Sequence, residues 1–160
     1  MRPGPWLVVL GLLAAPTGSG GGECTDEQAE VTEQALGAVI DQLKANPGQA
    51  GAWEQLLLTV RRHRVCDEEE LADLFSQAVC RQLAQSWKDA PAIARSVRRD
   101  ASLQLFLLAH LDENCAPADL EKIQKNAAAR CPRYGKALCA AITARAQQVL
   151  EDRPGRARDE

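Results

Sequence analysis

The amino-acid sequence predicts an all-α domain of five to seven helices stapled by disulfides, built as a compact helical bundle or as a short stack of αα-hairpins. Three observations support this fold class. Apolar residues recur at spacings of three and four along most of the chain, and no segment alternates in the way of a β-strand. Alanine and leucine are abundant while aromatic residues make up only 4%, a composition that suits close helix packing. The six cysteines lie mostly where predicted helices meet.

The N-terminal residues have the features of a secretory signal peptide. Arg2 precedes the apolar run Trp6–Ala15, and small residues follow it. A run of that length is about half of what a membrane span needs. We therefore expect an exported protein with no transmembrane segment in its mature chain. The expected parts are a cleaved signal peptide at 1–19, a glycine-rich linker at 20–24, the helical domain at 25–151 and a disordered tail at 152–160.

The first two helices are delimited by a capping box and a turn. Thr25 followed by Gln28 predicts a capping box at the start of the first helix. The proline and glycine of segment 46–48 end that helix, because proline lacks the donor that a continuing helix needs. The second helix carries Trp53 on its apolar face and ends in the cationic segment 61–64. Positive charge there suits the negative end of the helix dipole.

The later helices follow similar signals. Asp67 is the expected N-cap of the third helix, and the sequence leaves open whether Asp100 starts a new helix or lies within the fourth one. The segment Leu103–Leu111 is apolar on nearly all sides, which predicts the most buried element of the domain. Pro117 and Pro132 are the expected first residues of the last two helices, where a missing N–H costs nothing.

Two stretches of the sequence, 56–71 and 105–120, share one layout. In each, a leucine-rich segment is followed by charged residues, a cysteine, a short acidic stretch and another leucine. The two cysteines, Cys66 and Cys115, each precede a predicted helix, as Cys24 also does. Spacings of about 40–50 residues between such cysteines are in the range of helical-hairpin repeats.

Six cysteines in an exported chain predict three disulfides and an oxidising compartment, periplasmic or extracellular. The preferred pairing is Cys24–Cys66 within the first hairpin, Cys80–Cys131 between neighbouring hairpins and Cys115–Cys139 in the last pair. Many other pairings are possible. A Cys131–Cys139 bond is disfavoured if both residues lie in one helix, because that separation rises about 12 Å along the axis.

No residue pattern in the sequence predicts catalysis, a cofactor or a metal. His63 with Cys66, and His110 with Cys115, supply zinc-ligand residue types, but the thiols of an exported protein are expected to be oxidised. The nucleophile motif Gly-x-Ser-x-Gly and the redox motif Cys-x-x-Cys are both missing. We therefore expect a protein that is not an enzyme.

A signal peptide followed by six helices and six cysteines resembles the insect odorant-binding proteins. The Cys131–Cys139 interval is close to theirs. Their second and third cysteines lie close together in sequence, whereas Cys66 and Cys80 here do not, and this core is alanine-rich where their pocket is bulky and apolar. No binding residue is carried across from that family.

Two basic clusters are the candidate binding surface. One cluster is the segment 61–64, and the other is Arg95 with Arg98 and Arg99. The candidate partner-binding residues among them are Arg61, Arg62, Arg64, Arg98 and Arg99. If their helices lie side by side, the clusters form one patch for a protein or another anionic partner. The alternative is a solvated surface with local salt bridges to the acidic residues after Cys66. A net charge of −3 argues against nucleic acid as the partner.

We expect an exported, non-enzymatic helical domain that acts as a protein-interaction or structural module. Trp87 is the candidate anchor residue because it lies beside a predicted loop, and Trp53 is a second one if it is exposed. The alternative function is that of a carrier for a small apolar ligand held between the helices. The sequence leaves the partner and the oligomeric state unknown.

Overall fold

The computed structural model describes residues 23–49 and 51–153. In those residues the chain forms seven α-helices and no β-strand, which confirms the predicted all-α class. The helices are α1 (Asp26–Ala45), α2 (Ala52–His63), α3 (Glu69–Gln85), α4 (Ala90–Arg99), α5 (Ala101–Ala109), α6 (Pro117–Ala129) and α7 (Lys136–Glu151). The expected signal peptide 1–19, most of the expected linker 20–24 and most of the expected tail 152–160 lie outside the described residues.

The start of α1 has the predicted capping box. The Gln28 N–H donates to Thr25 Oγ1 at 3.2 Å, and the Thr25 N–H donates to Gln28 Oε1 at 3.0 Å. These reciprocal bonds satisfy two donors that have no partner within the helix. Between α1 and α2, Gly48 and Gly51 have φ angles of 79° and 86°. Glycine reaches that left-handed region without a steric penalty, which lets the chain reverse tightly.

Two of the predicted helix starts are wrong. Helix α3 begins at Glu69 with Glu68 in the N-cap position. Asp67 does not cap it, because its carboxylate lies 3.0 Å from the imidazole of His110 instead. Helix α7 begins at Lys136 and not at Pro132, which lies in a turn closed by a 2.8 Å bond from the Gly135 N–H to the Pro132 carbonyl.

One continuous hydrophobic core contains residues from all seven helices. Helix α6 packs along α7, α1 packs against both α2 and α3, and α3 also contacts α6. Each helix contributes at least one large and fully buried side chain, among them Leu36, Trp53, Phe75, Ile93, Leu107, Leu120 and Ile142. Burying a side chain of this size stabilises the fold by about 1.5–3 kcal/mol. Because the core is shared, the domain is a compact bundle.

Three disulfides staple the bundle. They are Cys24–Cys66, Cys80–Cys115 and Cys131–Cys139, and the first is the pairing that the sequence favoured. The predicted Cys80–Cys131 and Cys115–Cys139 bonds are wrong. The chain between α5 and α6 folds back onto α3, which brings Cys115 rather than Cys131 to Cys80. Cys131 lies before the start of α7, so its Cα is 6.0 Å from that of Cys139, well below their separation in a single helix.

Candidate interaction surface

The C-terminal end of α2 presents the first basic cluster to solvent. The opposite side of this helix faces the core, with Trp53, Leu56 and Val60 buried. Arg61 and Arg62 are therefore on the outer side and exposed. A short 3-10 turn, Arg64–Cys66, follows the helix, and the Cys24–Cys66 disulfide ties that turn to the start of α1.

A side-chain contact joins this cluster to the second one. Arg64 Nη1 donates to Ser102 Oγ at 3.2 Å, and Ser102 Oγ donates to Asp100 Oδ1 at 2.6 Å. Asp100 caps α5 by accepting from the Ser102 N–H, and it directly follows the exposed Arg98 and Arg99. Hydrogen bonds from Ser102, together with the charge of Arg64, lower the pKa of Asp100 below its ordinary value. The end of α2 thus lies against the α4–α5 junction.

A second hydrogen bond joins α2 to α4. The Trp53 indole N–H donates to Ser96 Oγ at 3.3 Å, and Ser96 is one turn before Arg99. Trp53 contacts α4 near the start of α2, and Arg64 contacts the start of α5 just after the end of α2. The two basic clusters therefore belong to adjacent elements.

Both tryptophans are core residues, so neither is an exposed anchor as predicted. Trp53 is 1% exposed and Trp87 is 8% exposed. Trp87 lies in a 3-10 turn, Trp87–Asp89, that links α3 to α4. This turn directs the indole inward, where its N–H donates to the Arg130 carbonyl at the end of α6 at 3.0 Å.

The exposed arginines are not neutralised by any acidic side chain that the structure describes. Among the side chains that the structure describes, the ion pairs are Lys44–Asp41 and His110–Asp67. Neither of these pairs involves Arg61, Arg62, Arg98 or Arg99. The salt bridges expected with the acidic residues after Cys66 are not formed by the described side chains. An exposed guanidinium without an internal partner keeps its charge and its five donors available to another molecule.

Exposed apolar side chains lie among these arginines. Leu58, 51% exposed, is one turn before Arg61 and Arg62, and the exposed Val65 directly follows Arg64. Leu105, 71% exposed, is one turn after Ser102. The prediction that the segment Leu103–Leu111 is the most buried element is wrong, because α5 is too peripheral to be covered on all sides.

We call the surface formed by these arginines and exposed apolar residues the arginine face. It comprises Leu58, Arg61, Arg62, Arg64, Val65, Arg98, Arg99 and Leu105. Its exposed apolar side chains give the face apolar area beside its charges.

A buried polar network lies away from this face, and the sequence did not reveal it. Ser76 Oγ donates to Asp112 Oδ2 at 2.6 Å and is 3.0 Å from His110 Nδ1. His110 Nε2 is 3.0 Å from Asp67 Oδ2. The pairs are far apart in sequence, so only the fold brings them together.

The network contains the serine, histidine and aspartate of a hydrolase triad, but they are not arranged as in an active site. In a triad the serine hydroxyl is free to attack a substrate, whereas Ser76 is completely buried and its proton is held by Asp112. His110 is packed against the rings of Phe75 and Phe106, with centroid distances of 5.7 and 4.2 Å. The network instead fastens the α5–α6 connection to α3.

The cavity among α3, α4 and α7 offers little space for an apolar ligand. This cavity, lined by residues that include Leu83, Trp87, Ile93 and Ile142, has a volume of about 10 Å³. That is barely the space of one water molecule. The carrier function stays a prediction that this cavity does not favour.

Comparisons with known proteins do not assign this chain to a family. No match was found among protein-family models, curated proteins or solved structures. In the part of the chain described here, none of the helices has both the length and the apolarity of a membrane span. Within those same residues, no three His, Cys, Asp or Glu side chains are arranged to hold a metal ion. Cys66 and Cys115 are disulfide-bonded and so present no thiolate to a metal.

Proposed function

We propose that this protein is an exported, non-enzymatic interaction module that binds an acidic partner protein through the arginine face. One observation carries the proposal. The Arg64–Ser102 hydrogen bond ties the first basic cluster to the start of α5, three residues after Arg99, while Arg61, Arg62, Arg98 and Arg99 remain exposed and without an ion pair among the described residues.

The chemistry of the face suits a protein partner. Guanidinium groups bind carboxylates through two parallel hydrogen bonds, which gives both strength and orientation. The exposed Leu58 and Leu105 supply apolar area that a bound partner would remove from water. Interfaces with an apolar centre and a polar rim are typical of protein recognition. The net charge of −3 opposes binding to nucleic acid.

The disulfides support export and a rigid binding surface. Three disulfides are typical of an oxidising compartment. The Cys24–Cys66 bond holds the turn that carries Arg64 and Val65, so the face is ordered before a partner arrives. Prior order lowers the entropy lost on binding.

Site-specific photo-cross-linking in the exported fraction of the host tests the proposal. A photoreactive residue replaces Leu58 in the arginine face, and a matched one replaces Gln147, an exposed residue of α7. We expect a protein cross-link from position 58 alone. It should be lost in the variant Arg62→Glu/Arg98→Glu and kept in the variant Lys122→Glu/Lys125→Glu, which makes the same charge change on α6.

Two results would contradict the proposal. One is a cross-link from position 58 that survives the arginine substitutions. The other is equal cross-linking from positions 58 and 147, which would show that other proteins contact the chain without preference for the arginine face. Circular dichroism of each variant verifies that the helices are unchanged.

A further inference from the structure

A second surface of the same chain has complementary chemistry. A groove of about 600 Å³ lies between α1 and α3. Its sides bear the carboxylates Asp26, Glu30, Glu33, Glu70 and Asp73, and its apolar lining is Ala29, Leu71 and Leu74. We call this surface the acidic groove. It combines negative charge with an apolar strip, as the arginine face combines positive charge with exposed leucines.

The carboxylates of the groove are not neutralised within the described residues. Their only recorded partners are neutral amides: Glu30 accepts from Gln34 at 3.3 Å, and Asp73 accepts from Asn114 at 2.7 Å. Like charges three or four positions apart on a helix repel each other, as Glu30 and Glu33 do on α1. A cationic surface placed in the groove would relieve this repulsion.

The arginine face and the acidic groove are formed by different elements. The face lies on α2, on the turn that follows it and on α4 and α5, whereas the groove lies between α1 and α3. All of these helices share one disulfide-stapled core, so one copy of the chain cannot place its own arginine face in its own groove. The two surfaces can meet only between separate copies.

We infer that the acidic partner of the arginine face is the acidic groove of a second copy of this chain. The inference rests on the proposed function, since it names the partner of the same face. Arg61, Arg62, Arg98 and Arg99 bind the carboxylates of the neighbour, and Leu58 and Leu105 cover its apolar strip. Each copy uses its face for one neighbour and its groove for another, so this contact is heterologous and continues into an open chain or closes into a ring.

Sedimentation velocity over a range of protein concentrations gives the first test. The ionic strengths compared are about 0.01 M and 1 M, at which charges act over about 30 Å and 3 Å. We expect the mean mass to rise with concentration at low salt and to return to that of one chain at high salt. A single-chain mass at every concentration in low salt would overturn the inference.

Mixing two variants gives the sharper test. Arg62→Gln/Arg98→Gln weakens the face and leaves the groove intact, whereas Glu30→Gln/Glu33→Gln weakens the groove and leaves the face intact. We expect each variant alone to be a single chain at low salt and the mixture to stop at a one-to-one pair. The control Lys122→Gln/Lys125→Gln should associate like the natural chain. Association of either neutralised variant by itself would overturn the inference.

The two proposals fail in different ways. If the natural chain does not self-associate but cross-linking from position 58 still depends on Arg62 and Arg98, only the second-copy inference is wrong. If cross-linking does not depend on those arginines, the proposed function is wrong as well. If both hold, the peptide cross-linked to position 58 should come from α1 or α3 of another copy.

Discussion

The α2–α3 and α5–α6 connections share a sequence layout but are covered to different extents. The first connection, 64–68, has a buried Cys66 between exposed Arg64 and Val65 on one side and exposed Glu68 on the other. The second, 110–116, begins with His110 and Leu111, both buried, and contains the buried Cys115. A leucine-rich helix, a charged segment and a cysteine therefore do not determine whether a connection faces water.

The number of contacts from other elements explains the difference. The α5–α6 connection is held from three sides: Asn114 donates to Asp73 of α3, the Arg145 Nε donates to the Leu111 carbonyl at 2.9 Å, and Arg153 donates to the carbonyls of Glu113 and Cys115. His110 and Asp112 add the buried network with α3 described above.

The α2–α3 connection is held by one disulfide, by the Arg64–Ser102 hydrogen bond and by the contact between Asp67 and His110. Its exposed part, which carries Arg64 and Val65, remains available for binding. The connection buried by its neighbours stabilises the fold, and the connection left uncovered presents the candidate interaction surface.

Removing each disulfide in turn should give the largest difference between the two connections in the free energy of unfolding. The Cys24–Cys66 and Cys80–Cys115 bonds span 42 and 35 residues, so restriction of the unfolded chain contributes about 4 kcal/mol in either case. Both cysteines of the second bond are buried, whereas in the first bond Cys66 is buried and Cys24 is partly exposed. In urea unfolding, the free energy of unfolding of Cys80→Ala/Cys115→Ala should therefore fall by about 1–3 kcal/mol more than that of Cys24→Ala/Cys66→Ala. The additional loss comes from the larger buried cavity that the first variant leaves. Equal losses would contradict the contrast.

Single serine substitutions should show a smaller contrast. Ser76→Ala removes the hydroxyl between His110 and Asp112 and leaves buried polar atoms without a partner, at an expected cost of about 1–3 kcal/mol. Ser102→Ala removes the hydroxyl between Arg64 and Asp100, where water can replace it. The free energy of unfolding, measured in urea, should therefore fall by clearly less in Ser102→Ala than in Ser76→Ala. A larger effect at Ser102 would mean that the arginine face has a structural role.

The features that were predictable from the sequence depend on nearby residues. The capping box of Thr25 and Gln28 is a local pattern, and the apolar spacing that predicts helices is local too. The Cys24–Cys66 pair was accessible because both cysteines belong to one hairpin of consecutive helices.

The features that were missed depend on which distant elements are neighbours. The Cys80–Cys115 bond and the Ser76–His110 contact require the α5–α6 connection to return to α3, and no short-range pattern contains that information. The burial of Trp87 depends on a 3-10 turn next to the end of α6. The exposure of Leu105 follows from the peripheral place of α5, which composition alone does not reveal.

The smallest expected effect is a pH effect at the α4–α5 junction. Hydrogen bonds from Ser102 lower the pKa of Asp100 in the folded state. A lowered folded pKa means that the stabilising contribution is present above the unfolded pKa and is lost as the pH falls through the folded pKa. NMR titration of Asp100 should show its pKa rising toward the ordinary value in Ser102→Ala. An unchanged pKa would show that the Ser102 contact does not form in solution.

The most direct measurement exchanges the charges of the two surfaces within one chain. Glu30→Arg/Glu33→Arg and Arg62→Glu/Arg98→Glu, made separately, should each abolish self-association at low salt, because most of the net charge of one surface is removed and the substituted side chains meet groups of the same sign. Combined in a single chain, the four substitutions again place opposite charges against each other at those positions, and sedimentation velocity should again show a mass that rises with concentration. A combined variant that stays a single chain, or a separate variant that still associates, would contradict the pairing of the arginine face with the acidic groove.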